Sequence, residues 1–216
     1  MSKSSLHDDD MRARAFRILR RRDQILASVM RHHGDIWPQK PRSILRAMTA
    51  LVIDQQISTH AAAAIRKRFH QVVGGHYSAS AILALSDAQL RYAGLSRPKQ
   101  KTLRCVAAAV ESGEIHWATL NRQSDEEIAM RLCELHGIGP WTAQMYLLFV
   151  LGRPDVLATG DLGLQNAARN LYGLTKRPCH EDFCELAEGW RPYRSLASSY
   201  LWASLEMGNW KERPAG

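Results

Sequence analysis

Two short stretches of this chain carry residue types and spacings that could do chemistry. Residues 135–140 read Leu-His-Gly-Ile-Gly-Pro, and residues 159–163 read Thr-Gly-Asp-Leu-Gly. Glycines two apart allow a tight turn that approaches another molecule closely, because neither carries a Cβ. Pro140 favours the first turn of a helix, whose backbone N–H groups and dipole suit a phosphate. Asp161 places a carboxylate at a second helix start, so the pattern indicates a phosphate-binding turn followed by a negatively charged reactive group.

The turn around Gly137 and Gly139 has the sequence of a helix–hairpin–helix, an element that binds one DNA strand through its backbone. N–H groups near Gly137, Gly139 and Thr142 can hold phosphate oxygens, and such contacts position a duplex without reading its sequence. The alternative is an ordinary turn between two helices, since such turns often contain glycine. The whole string from Leu135 to Ala143 is more specific than the glycines alone, and it favours the DNA-binding interpretation.

Asp161 also has two interpretations. An Asp that follows glycine and precedes a helix commonly caps that helix. Its position shortly after the second helix of the hairpin favours a functional role, because a carboxylate near a bound phosphodiester is electrostatically unfavourable unless it serves a purpose. Stabilising a cationic sugar transition state is such a purpose. The hairpin and the carboxylate together point to chemistry on DNA.

Helices must position these residues, because helical periodicity dominates the chain and no stretch alternates like a strand. We predict an all-α fold of roughly ten helices in two helical lobes. The terminal lobe is discontinuous, over 1–41 and 153–216. The inserted lobe, 42–152, carries the helix–hairpin–helix at 133–146, with Pro38–Pro41 and Gly152-Arg153-Pro154 as the joints. The predicted helices are 11–32, 43–56, 59–73, 79–85, 87–92, 98–112, one from Ser124, 140–151, 162–172, 180–189 and 192–207.

Composition restricts the partners. The chain has 29 Lys and Arg against 21 Asp and Glu, a net charge of +8, which favours a polyanion. No apolar stretch of about 18 residues predicts a membrane span, and the polar start differs from a secretion signal. The four cysteines lack the spacing of a zinc site or disulfide framework. We expect a cytoplasmic protein of bacterial type that works beside the chromosome, with reduced thiols and no membrane partner.

The hairpin followed by Asp161 resembles the helix–hairpin–helix (HhH-GPD) DNA glycosylase superfamily, in particular its alkylation-repair branch of 3-methyladenine DNA glycosylase II. Three further segments resemble that family: Ile-Asp-Gln-Gln-Ile-Ser at 53–58, Gly-Leu-Ser-Arg-Pro-Lys at 94–99, and Trp-Arg-Pro-Tyr-Arg-Ser at 190–195, followed by Trp202. The resemblance implies an active-site cleft between the two lobes, with Asp161 as the catalytic residue. It also implies a compact form without the N-terminal β-domain of some members.

The resemblance extends to individual residues. Bifunctional members have a lysine where this chain has Trp141, and Trp cannot form a Schiff base, so a monofunctional enzyme is expected. Gln56 is the expected wedge that fills the gap left by a flipped nucleotide. The implied base pocket is lined by Trp141, Trp202, Met145 and Trp37. The implied DNA contacts are Gly137, Gly139, Thr142, Gln55, Gln56, Lys99 and Arg194. For these side chains a core position or a solvated surface is the alternative.

The resemblance implies a monomeric enzyme that hydrolyses the N-glycosidic bond of alkylated purines, such as 3-methyladenine and 7-methylguanine, in double-stranded DNA. This reaction initiates base excision repair. No cofactor is expected to be required, although Na+ or K+ could bridge a phosphate to the carbonyls of Cys133, Leu135 and Ile138. The alternatives are a non-catalytic DNA-binding module and a glycosylase for oxidised or mismatched bases.

Overall fold

The computed structural model describes residues 5–37 and 39–207, and every regular element within them is helical. This confirms the predicted all-α class. None of the described helices is both long enough and apolar enough to cross a bilayer. The helices are α1 (Asp9–Arg22), α2 (Gln24–His33), α3 (Ile44–Asp54), α4 (Thr59–Val72), α5 (Ala79–Leu83), α6 (Asp87–Tyr92), α7 (Arg97–Glu111), α8 (Trp117–Leu120), α9 (Asp125–Cys133), α10 (Pro140–Met145), a π-helix (Tyr146–Val150), α11 (Leu162–Tyr172), α12 (His180–Glu188), α13 (Arg194–Ser204) and a 3₁₀ turn (Leu205–Met207).

The chain divides into two compact units. Unit 1 comprises Met1–Lys40 and Leu147–Gly216, and unit 2 comprises Pro41–Tyr146. The sequence pattern placed the second joint at Gly152-Arg153-Pro154, whereas the packing changes earlier, at Leu147. The reason is that glycine and proline mark where the helix stops, while the preceding π-helix already packs within unit 1. Its Phe149 ring lies against two tryptophans of that unit.

The first predicted helix, 11–32, is interrupted at Asp23. The Asp23 backbone is extended (φ −134°, ψ 101°), and its Oδ1 caps α2 by accepting the Leu26 N–H at 2.8 Å. Its Oδ2 accepts hydrogen bonds from Trp190 Nε1 at 2.8 Å and from Tyr172 Oη at 2.5 Å. One carboxylate therefore ends α1, starts α2 and joins both to distant helices of unit 1, which hydrophobic periodicity cannot reveal.

In unit 1, α13 packs against α2 and α11. Fully buried aromatic side chains fill this core, and Tyr200 Oη also donates a hydrogen bond to the Gly34 carbonyl at 2.6 Å. Because α11 and α13 are neighbours, the start of α11 lies beside the end of α13. This packing brings Asp161 and Trp202 together. The large buried side chains of this unit include Trp190, Tyr200, Phe183, Leu19 and Leu26.

In unit 2, α3 packs against α4, α7 and α10, and α9 packs against α10. Burying the apolar side chains between these helices stabilises the folded state by about 25 cal/mol per Å² of apolar surface removed from water. The arrangement holds the hairpin between α9 and α10 next to the end of α3. The core includes Met48, Val52, Phe69, Leu103 and Val106.

Candidate active site

The hairpin of unit 2 is a tight turn that depends on Gly137. Its φ is +80°, and a Cβ there would stand 1.9 Å from Thr102 Oγ1. Both the left-handed backbone and the lack of space therefore exclude other residues. Gly139 differs, because its φ of −107° suits any residue and no described atom lies within 4 Å of where its Cβ would stand. Nothing within the described protein requires glycine at 139, which is consistent with the close approach of another molecule.

Gln55 fastens the end of α3 to the hairpin. Its Nε2 donates hydrogen bonds to the Gly137 carbonyl at 3.0 Å and to Thr142 Oγ1 at 2.9 Å. A side-chain amide has two N–H donors, so both are used inside the protein. Thr142 is itself only 2% exposed. In the described protein Gln55 therefore positions the hairpin, and its predicted DNA contact stays a prediction. The predicted phosphate contact of Thr142 would come from its backbone N–H.

Lys99 holds the same segment from the other side. Its Nζ donates a hydrogen bond to the Ile53 carbonyl at 2.6 Å, in the last turn of α3. Carbonyls in that turn have no partner within the helix, so a cation there is stabilising. Burial lowers the pKa of Lys99, although the nearby Asp54 carboxylate favours its charge. Lys99 thus stabilises the end of α3, and its predicted phosphate contact stays a prediction.

Gln56 occupies an unusual backbone conformation directly after this fastened segment. Its φ is +54°, and within residues 5–37 and 39–207 it is the single non-glycine residue with positive φ. Such a conformation costs about 1–2 kcal/mol for an L-residue and persists where its surroundings enforce it, often at functional sites. The side chain is exposed and is followed by the exposed Ile57. The structure thus presents Gln56 at the tip of the connection between α3 and α4.

Two predicted pocket residues lie on α10. Trp141 is half-buried, whereas Met145 is 2% exposed and belongs to the interior. The assignment of Met145 to a base pocket stays a prediction, and in the described protein its side chain packs among apolar neighbours.

The carbonyl set proposed for a monovalent cation consists of hard oxygen donors, which suit such an ion. Cys133 ends α9, so its carbonyl has no partner within the helix. The Leu135 carbonyl accepts the Ile138 N–H at 3.0 Å and keeps a second lone pair. These donors fit an alkali cation. Among the described residues no cluster of three or more His, Cys, Asp or Glu side chains is arranged to hold a metal ion.

Asp161 of unit 1 is both a helix cap and the partner of an indole. It precedes α11, and its Oδ1 accepts the Leu164 N–H at 2.7 Å and Trp202 Nε1–H at 3.1 Å. The carboxylate is half-buried. Two donors to one oxygen fix the orientation of the carboxylate. The capping interpretation and the functional interpretation of Asp161 are thus compatible, since the cap itself aims the group.

Gly163 makes room for this pair. A Cβ at this position would lie 2.9 Å from Asp161 Oδ1 and 3.3 Å from Trp202 Nε1. Glycine is therefore required at position 163 by the lack of space for a side chain and not by its backbone conformation. Any larger residue would displace the carboxylate, the indole or both.

Aromatic rings continue from Trp202 into unit 1. The Phe149 ring lies 5.7 Å from Trp202 and 6.1 Å from Trp37, measured between ring centroids. Phe149 was not identified from the sequence, because it lies in a π-helix whose wider turn changes which residues share a face. Trp37 is 7% exposed and its Nε1 donates to His7 Nδ1 at 3.4 Å. The structure therefore brings together Asp161, Trp202 and Trp37, with Phe149 between the tryptophans.

Arg194 forms an ion pair within unit 1. Its guanidinium binds Asp155 in a bidentate pair, Nε to Oδ1 at 2.7 Å and Nη2 to Oδ2 at 3.1 Å. Arg191 binds the same carboxylate at 2.7 Å. The geometry is the strong, planar form of an arginine–carboxylate pair. This pair anchors the start of α13, the helix that carries Trp202, and the predicted DNA contact of Arg194 stays a prediction.

Known proteins resemble this chain over most of its length. A family model described as the HhH-GPD superfamily base excision DNA repair protein matches residues 49–192. YfjP of Bacillus subtilis is 30% identical over 188 residues, which is 84% of this chain and 66% of YfjP. DNA-3-methyladenine glycosylase 1 of Schizosaccharomyces pombe is 33% identical over 162 residues, which is 74% of this chain and 71% of that protein.

A solved structure of a related protein also resembles this chain. Mag1, the Schizosaccharomyces pombe 3-methyladenine DNA glycosylase in complex with abasic DNA, aligns with a TM-score of 0.84 at 29% identity, and the alignment covers 92% of this chain and 100% of Mag1. The family match spans the hairpin, Gln55, Gln56 and Asp161. The chain therefore belongs to the HhH-GPD superfamily of base excision DNA repair proteins.

Proposed function

We propose that this protein is a monofunctional DNA glycosylase that hydrolyses the N-glycosidic bond of alkylated purines, such as 3-methyladenine and 7-methylguanine, in double-stranded DNA. The observation that carries the proposal is the Asp161 carboxylate, held at one oxygen by the Leu164 N–H and the Trp202 indole. The fission yeast relatives named above are 3-methyladenine glycosylases. A plain DNA-binding module would need the hairpin but would have no use for this oriented carboxylate.

Binding begins at the hairpin. Backbone N–H groups around Gly137, Gly139 and Thr142 would hold phosphates of one strand, and Gln56 would enter the stack where a nucleotide leaves it. Extruding that nucleotide costs a few kcal/mol, less for a weakly paired lesion. The alkali cation would be held by the carbonyls of Cys133, Leu135 and Ile138, where it supplies positive charge to a phosphate. No organic cofactor enters the proposed reaction.

Aromatic faces near Asp161 favour the substrate class. An alkylated purine of this kind carries positive charge, and an indole face attracts a cation more strongly than a neutral base. Trp202, with Phe149 and Trp37 behind it, supplies such faces in unit 1. Trp141 remains a proposed base contact on the grounds of its sequence position.

Asp161 carries the chemistry. The bond between C1′ of the sugar and the purine nitrogen breaks, and its electron pair leaves with the base and neutralises the base's positive charge. The sugar becomes an oxocarbenium ion, which the fixed negative charge of Asp161 stabilises. A water oriented by Asp161 then adds to C1′ and loses its proton to the carboxylate or to solvent. Trp141 cannot form a Schiff base, so the product is an intact abasic site.

An excision assay on a lesion panel tests the proposal. Oligonucleotides with 3-methyladenine, 7-methylguanine, hypoxanthine, ethenoadenine, uracil or an oxidised purine are incubated with the protein, and free base is measured. We expect release of methylated purines without strand cleavage. In the cell, the protein is proposed to act as a monomer on chromosomal DNA. Release of uracil or oxidised purine alone would favour the other glycosylase class. Binding of every duplex without release of any base would favour the non-catalytic module.

A further inference from the structure

Unit 2 contains a basic cavity that the proposed reaction does not use. Its volume is about 250 Å³, and its walls come mainly from α3 and α4. It is separate from the hairpin turn and from the side chain of Gln56, neither of which lines it. Its lining includes Arg46, Ile53, Arg66, Lys67, His70 and Tyr77.

The charges around the cavity favour an anion. Arg46, Arg66 and Lys67 are basic, the His70 ring adds nitrogen atoms that can form hydrogen bonds, and none of the lining residues is acidic. Asp54 pairs with Arg66, and burial raises the pKa of Asp54 more than this pair lowers it. Within residues 5–37 and 39–207 no carboxylate lies at ion-pairing distance from Arg46 or Lys67. At least two positive charges are therefore available to a ligand.

The basic side chains are held before a ligand arrives. The Arg46 guanidinium carbon lies 5.4 Å from the centroid of the Tyr77 ring, and the His70 ring stacks on Tyr77 at 5.8 Å and 20°. Side chains that are already ordered lose less conformational entropy on binding. Tyr77 thus orients two basic groups toward one small volume.

The volume of the cavity and its apolar lining residues restrict the kind of ligand that it could hold. Thr49, Ala50 and Ile53 add an apolar wall beside the cations. The volume lies just below the range of about 300–1,000 Å³ typical for drug-sized ligands. A small organic group that carries one phosphate suits these walls better than a bare ion or a large cofactor.

The geometry points to a binding site for a sugar phosphate, either one backbone unit of a DNA strand or a free sugar phosphate. The DNA source rests on the proposed function and is the favoured one because of position. Ile53 lines the cavity, and Gln56 is three residues further along the chain, a span of about 10 Å at most. That is about three base-pair rises of 3.4 Å, so a backbone unit that flanks the wedge is within reach.

A matched pair of double variants tests the DNA source. Arg46→Gln with Lys67→Gln removes the two uncompensated cations, and Arg91→Gln with Arg122→Gln removes the same charge from positions of unit 2 outside the cavity. Affinity for a duplex with an abasic analogue is measured across salt concentrations. We expect the slope of log K against log salt to fall by about 0.9 for each phosphate that the cavity variant no longer binds, and to stay unchanged in the control. Lys67→Gln alone serves if the double variant unfolds.

Ribose 5-phosphate tests the free source. We expect it to shift the NMR signals of the His70 and Tyr77 rings in the wild type and not in the cavity variant, with ribose alone as control. These shifts with an unchanged salt slope would assign the site to free sugar phosphates. An unchanged slope together with unshifted ring signals would overturn the proposal.

Excision separates this proposal from the proposed function. A wild type that releases no base would refute the proposed function, while the salt slope and the ring signals would still report whether the cavity binds a sugar phosphate.

Discussion

In unit 1 the candidate reactive group is a side chain, whereas in the hairpin of unit 2 the candidate phosphate-binding groups belong to the backbone. Asp161 is oriented by a helix N–H and by the Trp202 indole, so its chemistry depends on which side chains are present. The hairpin depends on a left-handed glycine and on a carbonyl held by Gln55. Substitutions in unit 1 should therefore lower the rate of excision, and those in unit 2 should lower the affinity for DNA.

The largest expected effect is that of Asp161→Asn. Asn caps a helix as well as Asp does, so folding is expected to be unchanged, but the negative charge is lost. Single-turnover excision of 3-methyladenine should fall by at least about 10²-fold, the scale on which one preorganised electrostatic group acts. Affinity for abasic DNA should change little. Near-normal turnover of the variant would refute the assigned role of Asp161.

Gly137→Ala in unit 2 should lower stability and DNA affinity. The added Cβ meets Thr102 Oγ1 at 1.9 Å, and the left-handed backbone alone costs about 1–2 kcal/mol. We expect a lower free energy of unfolding and at least about tenfold weaker DNA binding, on the order of 1.4 kcal/mol. Gly139→Ala is the matched control: it should keep stability within about 0.5 kcal/mol and still weaken binding. Equal affinities for all three proteins would contradict the hairpin assignment.

Gly163→Ala provides the corresponding test in unit 1. The new methyl group would press on Asp161 Oδ1 and on the Trp202 indole. Misplacing a catalytic group by about 1 Å can cost up to 10²-fold in rate, and we expect roughly a tenfold loss of kcat with an unchanged Kd. Because alanine is the better helix former by about 1 kcal/mol, thermal stability should not fall. Gly189→Ala, which meets no described atom within 4 Å, should leave the rate unaltered.

The smallest expected effect concerns alkaline pH and the side-chain hydrogen bonds of unit 1. Burial raises the pKa of Tyr172 and Tyr200 above the ordinary value of 10.0, and both donate hydrogen bonds to oxygens. A raised pKa means that the folded state holds the proton longer. The stabilisation is complete below about pH 10 and is lost as pH rises further, by about 1.4 kcal/mol per pH unit for each tyrosine.

Tyr172→Phe tests whether the ionisation of Tyr172 lowers stability at alkaline pH. The variant should be less stable near pH 8 by about 1 kcal/mol, because it lacks the hydrogen bond to Asp23. Its urea-unfolding free energy should fall less steeply than that of the wild type between about pH 10 and pH 11. Parallel slopes for the two proteins would show that Tyr172 ionises normally when folded.

Local signals account for what the sequence predicted correctly. Helical periodicity is read from neighbouring residues along one segment, and the helix starts at Ser124 and Pro140 are set within a single turn. The break at Asp23 and the aromatic contact of Phe149 depend on partners far away in the chain. The sequence could not distinguish these from ordinary surface and core positions.

The site residues show the same limit. Lys99 and Arg194 are long basic side chains, and sequence position alone suggested phosphates as their partners. In the structure their partners are a carbonyl at a helix end and the Asp155 carboxylate. Gln55 likewise binds the hairpin. Sequence position alone does not show which neighbour a polar side chain binds in the folded protein, so these three intramolecular partners could not be predicted.

The backbone at position 56 has a consequence for engineering. Glycine adopts a φ of +54° without cost, so a stability-guided redesign would choose Gln56→Gly among its first changes. That change should raise the melting temperature slightly and remove the side chain that is proposed to enter the duplex. A thermostable variant of this protein should therefore keep Gln56, because the change that stabilises the free protein would remove the side chain proposed to be needed for excision.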